Sequence, residues 1–227
     1  MTLVEYVIER STIEAKWIFD RMLPALPGPG TPAFAKLAKE LHPFGITPNE
    51  VIVDAPSSRM GDVVLTISLL ERRVALRITA AYFELIVNEL IDGEEPKLVS
   101  IADATLRAIA ETQPDIGGLN VRYRIASHLG LASGSLISFL EDHQVPTALS
   151  KGLVTDAIAY NASGINRFQS KDMRFVITKS LVFGNALFLD ANATYSATSN
   201  VAEIAAWAES DFETIMSLLG LKERRND

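Results

Sequence analysis

Runs of β-branched residues with a period of two constrain this chain more than any other feature. Val74, Leu76 and Ile78 alternate with Ala75, Arg77 and Thr79, which gives a strand one apolar face and one wet face. Val51–Val53, Val63–Leu70 and the whole of Val74–Ile86 are rich in Val, Ile and Leu, and Val4–Glu9, Leu119–Leu129, Leu153–Asn161, Met173–Phe183 and Ala186–Tyr195 read as further strands. Glu71-Arg72 and Gly184-Asn185 sit where hairpin turns are needed. A sheet wet on one side must bury its other side under something, and helices are the obvious cover.

Helix starts are marked by a side-chain cap followed three residues later by a carboxylate, a pairing that satisfies two orphaned backbone donors. Ser11 with Glu14, Ser100 with Asp103, and Asn200 with Glu203 fit the pattern. After Ser11, the residues Ala15, Ile18, Phe19, Met22, Leu23 and Leu26 fall on one side of a helical wheel, until Pro24 and Pro27-Gly28-Pro29-Gly30 break it. Thr31-Pro32 predicts a cap and first turn for a helix through about His42, with Gly45 beyond its end. Further helices are expected over 100–112, 133–144 and 200–219, the last with a stripe of Val201, Ile204, Ala208, Phe212, Ile215 and Leu219.

The pattern is α+β. Both parts of the chain read strand, helix, two or three antiparallel strands, helix, which suggests two pseudo-repeated β-α-β-β-β-α units with mostly antiparallel sheets and helices packed on one face. Pro114 and Gly117-Gly118 place the boundary between a half at 1–116 and a half at 117–227.

Composition narrows the function classes. With 21 basic and 28 acidic residues the chain carries −7, which disfavours nucleic acid and anionic membrane surfaces as partners. The absence of cysteine removes disulfides, thiolate metal sites and a cysteine nucleophile. Glu5 and Glu9 interrupt the apolar run that a secretory signal requires, and the uncharged stretch Ile125–Leu140 is too short and too polar to span a bilayer, so a cytoplasmic chain with no membrane segment is expected. A mean hydropathy of +0.18 is high for a chain of this kind and favours a homodimer or another homo-oligomer.

On strand 119–129, the period of two sets Arg122, Arg124 and His128 opposite Val121, Tyr123, Ile125 and Leu129. Two arginines on one face can clamp a carboxylate or phosphate, and a neighbouring histidine can move a proton. The alternative is a solvated sheet face whose cations meet acidic cross-strand neighbours. Asp190 and Asn192, sharing a face with Phe188 and Thr194, are candidates to meet the strip if their strands adjoin.

Gly28 and Gly30 lack the Lys-Ser/Thr of a phosphate loop, and the stretch Gly130 to Ser135 lacks the spacing of a nucleophile elbow, leaving Ser133 as a helix cap. His42 and His143 read as helix C-terminal residues, Arg167, Lys171 and Arg174 as a solvated run, and no spacing suggests a metal or any other cofactor. Ile13 and Trp17 project away from the main stripe of the expected first helix, which makes them candidates for an oligomer interface.

These features favour a non-enzymatic binding or protein-interaction module, with a protein or small acidic ligand as its target. The alternatives are a chaperone-like or defence-accessory protein that holds polypeptide along sheet edges, and an enzyme using His128 with Arg122 and Arg124 on a small acidic molecule. An open apolar groove separates the second from the third, which needs a closed polar pocket.

Overall fold

The computed structural model describes residues 3–24, 28–57, 59–89, 91, 93–112, 120–132, 135, 136, 139, 160–164, 172–195 and 200–224. The fold is mixed α+β. Its strands are β1 (Val4–Ile18), β2 (Val51–Asp54), β3 (Val64–Leu69), β4 (Val74–Ile78), β5 (Tyr82–Val87), β6 (Asn120–Leu131), β7 (Tyr160–Gly164), β8 (Asp172–Lys179), β9 (Ala186–Tyr195) and β10 (Leu221–Glu223). Three helices are described, α1 (Pro32–Leu41), α2 (Glu95–Thr112) and α3 (Val201–Leu218). None of the described helices is long and apolar enough to cross a membrane.

The strands hydrogen-bond in the order β2-β3-β4-β5-β1-β6-β9-β8-β7, with β10 running parallel to the start of β1. Pairings β1–β5, β2–β3, β3–β4, β4–β5 and β7–β8 are antiparallel. The chain forms two compact units that interleave in sequence. One, the Trp17 unit, comprises Ile13–Tyr123 with Thr194–Ala206; the other, the His128 unit, comprises Met1–Thr12, Arg124–Ala193 and Trp207–Asp227.

In the Trp17 unit, alternation decides the core. Leu65, Ile67 and Leu69 of β3, Val74, Leu76 and Ile78 of β4, Phe83, Leu85 and Val87 of β5, and Ala15 and Trp17 of β1 are all buried. Ile101, Ala102, Thr105, Ala108 and Ile109 of α2 and Leu37 and Leu41 of α1 are buried too, and the two helices pack on each other. Trp17 stacks on Phe83 with ring centroids 4.6 Å apart and planes 5° from parallel, a contact that adds to burial by about 0.5–1.5 kcal/mol. In the His128 unit the buried row runs through Leu187, Leu189, Ala191 and Ala193 of β9, Met173, Phe175 and Ile177 of β8, and Ala208, Ile215 and Met216 of α3.

Several expectations need correction. Residues 11–18 continue β1 and are not a helix. The pair Ser11/Glu14 mimics a capping box, but Ile13, Ala15 and Trp17 also fit a period of two, and pairing with β5 over Ile13–Ile18 prevails. The Ser11 hydroxyl is engaged by Ser127 at 2.8 Å. The run Val74–Ile86 is two strands, because the Thr79 hydroxyl accepts the N–H groups of Ala81 and Tyr82 at 3.2 and 3.1 Å and folds the chain back. Helix α2 begins at Glu95, five residues before the expected start; Ser100 lies inside it and donates to the Pro96 carbonyl. The β8–β9 connection is a six-residue loop, Ser180–Asn185, where a two-residue turn was expected.

Other expectations hold. Thr31 caps α1 by accepting the Phe34 N–H at 3.1 Å, and Gly45, with φ 84°, closes the turn that follows the helix. Asn200 caps α3 by accepting the Ala202 and Glu203 N–H groups. The α3 stripe is buried at Val201, Ile204, Ala208, Ile215 and Leu219, but Phe212 is only half-buried and Asp211 is buried in its place. The helix expected over 133–144 is seen at Ser135, Leu136 and Phe139; its remainder, the strand 153–161 before Tyr160, and the Pro114–Gly118 boundary lie outside the described residues.

Candidate functional site

Strand β6 carries the cationic strip, and its neighbour β9 answers it. Arg124 donates from Nε to Asp190 Oδ1 at 2.9 Å and from Nη2 to Asp190 Oδ2 at 3.0 Å, a two-pronged pair between half-buried side chains. Asn192 adds a third donor to Asp190 Oδ1 at 3.1 Å. The fork that was a candidate clamp for an outside carboxylate is thus filled by the protein's own cross-strand neighbour. Arg122 lies in the other unit and is exposed.

His128 is held differently. Its ring lies edge-on to Phe183, centroids 5.2 Å apart, and tilted on Phe188 at 4.9 Å, while Nδ1 sits 2.9 Å from Ser180 Oγ. Burial, and secondarily the Arg10 cation, push its pKa below the usual histidine value. Ser180 is buried and also accepts the N–H groups of Val182 and Phe183 at 3.1 and 3.0 Å. The loop it holds exposes Leu181 and Val182, at 97% and 67% of their surface.

The same loop forms one wall of a cleft of about 350 Å³, lined by Glu5, Val7, Glu9, Gly130, Phe183 and Arg224 among others. At Gly130 the Glu9 carboxylate occupies the space a Cβ would take, so a side chain there would displace the carboxylate. Asn185 anchors the base of the loop through its side-chain amide, which donates to the carbonyls of Leu131 and Ala132.

A second cleft, of about 310 Å³, belongs to the Trp17 unit and is lined by Pro29, Phe34, Ala38, His42, Ile46, Thr47, Pro48 and Val51. Among the described residues no carboxylate, lysine or arginine lines it. Val51 opens β2, the end strand of the sheet among the described residues, which hydrogen-bonds to β3 alone and exposes Ile52 and Val53 at 59% and 48%.

The two residues read as interface candidates sit on β1. Trp17 is 3% exposed and stacked in the core of its own unit, and Ile13 is half-buried opposite Val87. The helix that gave them a second apolar face does not exist, so that ground for an interface is gone. Ser180, Phe34, Ile46 and Val51 were not singled out from sequence. The signal for Ser180 was present, a serine directly before the loop tip, where its hydroxyl can accept N–H groups two and three residues on.

Among the described residues no group of three or more His, Asp or Glu side chains is placed to hold a metal ion. No protein-family model matches the chain, and comparison with curated proteins finds none similar to it.

Proposed function

We propose that the chain is a non-enzymatic protein-interaction module that takes an extended polypeptide segment along β2 and into the apolar cleft beside it. The observation that carries this reading is the coincidence of an end strand with an uncharged cleft. Beyond its pairing with β3, β2 offers its outer backbone donors and acceptors to an added strand, and exposed Ile52 and Val53 offer apolar contacts. The cleft lined by Phe34, Ile46 and Val51 accommodates a side chain of such a strand. An apolar cleft beside a sheet edge supports a polypeptide-holding reading over an enzyme, which needs a closed polar pocket.

The strand order supports, in addition, the reading of a duplicated unit. Outward from β1 it runs β5, β4, β3, β2, and outward from β6 it runs β9, β8, β7. A second copy of the chain adding its own β2 is the homodimeric version of the same contact.

The test is a titration of isotope-labelled protein with an end-blocked synthetic peptide of alternating valine and threonine. Shifts confined to Val51–Asp54 and the cleft, and abolished in Ile52→Pro, support the reading. Shifts that are absent, or that leave β2 untouched, reject it. Concentration-dependent broadening of the same signals without peptide assigns the edge to a second copy.

A further inference from the structure

We propose that His128 and Ser180 form a proton-operated latch that fixes the apolar tip Leu181-Val182-Phe183 at neutral pH and releases it when His128 takes up a proton. The inference rests on counting hydrogen-bonding capacity. A serine hydroxyl has one proton to donate and two lone pairs to accept with. Both lone pairs of Ser180 are used, by the N–H groups of Val182 and Phe183. The third contact, to His128 Nδ1 at 2.9 Å, must therefore use the hydroxyl proton. Ser180 donates and His128 accepts, which fixes the imidazole as neutral with its proton on Nε2.

Adding a proton to His128 places it on Nδ1, the ring's only free lone pair, and converts the acceptor into a donor. Two donors then face each other. Either the histidine contact breaks and leaves the buried hydroxyl proton without an acceptor, or Ser180 turns and gives up one backbone N–H. The second loosens the turn at Val182 and Phe183 directly, and the first does so because relief of the unpaired, buried hydroxyl proton requires Ser180 to turn or the loop to open to water. The loop base is unaffected, because Ser180 N–H donates to Ala186 O and Leu131 N–H donates to Asn185 O independently of the ring.

The surroundings favour the neutral state. Phe183 and Phe188 flank the ring and bring no charge. From β1, Arg10 repels an imidazolium; on β6 itself, Arg124 is already paired with Asp190 of β9. Among the described residues no carboxylate is a cause of the His128 shift. Since Phe183 and Gly184 wall the cleft of about 350 Å³, release of the tip also opens that wall.

The experiment is a nuclear magnetic resonance titration from pH 8 to 5 following the His128 ring nitrogens together with the Val182 and Phe183 amides. The expected result is an Nε2–H tautomer at pH 8, and amide protection, corrected for intrinsic exchange, that falls about tenfold with the His128 midpoint, as loss of one hydrogen bond implies. His128→Asn keeps an acceptor but cannot be protonated, so its loop should stay protected down to pH 5. An Nδ1–H tautomer at neutral pH, or a loop in His128→Asn that loosens as the wild type does, overturns the latch.

Discussion

The β3–β4 and β8–β9 hairpins turn the chain by opposite means. At the first, Leu70, Glu71 and Arg72 all take left-handed conformations with φ of 50°, 57° and 69°, none of them glycine. Each costs about 1–3 kcal/mol, so the surroundings must hold the turn in place. Arg72 pairs with Glu50 at 3.1 Å, and Arg73 with Glu94, whose other cation is Lys97 at 3.0 Å. At the second hairpin no non-glycine residue has positive φ and no charge is used, and one neutral hydroxyl gathers the turn. A turn tied by permanent charges tolerates strain across a wide pH range; one tied by a titrating ring answers to the proton.

The largest test of the contrast is burial beside each turn. Leu69→Ala, at a residue 1% exposed, should cost about 2–5 kcal/mol, whereas Leu181→Ala, at 97% exposed, should stay within about 0.5 kcal/mol. Urea denaturation with unchanged slope checks both, and a large loss at Leu181 would mean that the tip is covered in solution.

Acid should then separate the turns in order. The His128 pKa lies below the ordinary histidine value of 6.5, so its contribution is complete above that pH and is lost as pH falls through the lowered value. The Arg73 guanidinium, with Lys97, holds Glu94 at about 2 against an ordinary 4.5, so that contribution persists to pH 4.5 and drains away between there and about 2. Peptide-resolved hydrogen exchange should show residues 180–185 loosening first and 70–73 only in stronger acid. Simultaneous loosening would collapse the distinction.

The smallest effect concerns the backbone alone. Glu71→Gly relieves a left-handed residue and should stabilise by about 0.5–1 kcal/mol, net of the entropy glycine adds to the unfolded chain. Gly184→Ala, with negative φ and open space around its Cβ, should change stability by no more than about 0.5 kcal/mol. Thermal melts of the two variants check the pair.

How far the sequence discloses this molecule depends on the range of each interaction. Thr31 and Asn200 were readable as caps because a cap is a local bond to a residue two or three places on. Strands β3 and β4 were readable because one-sided burial writes itself as alternation. The failure at Ser11 to Ile18 is equally physical: the segment satisfies helical and strand periods at once, and only its partner β5, some seventy residues away, decides. Arg124 and Asp190 were legible as a pair conditional on adjacency, which no single strand encodes. The bond from Ser180 to His128 spans 52 residues and leaves no local trace.

Trp17 carries a consequence for optical work. Its indole N–H is buried without an acceptor among the described residues and its ring is stacked on Phe83, so relaxation of its excited state by solvent should be suppressed, with blue-shifted emission that resists aqueous quenchers. The chain's other tryptophan, Trp207, is half-buried and belongs to the His128 unit. Each unit thus contains its own fluorophore of different accessibility, and a spectrum resolved into two components should report on each unit without any introduced label.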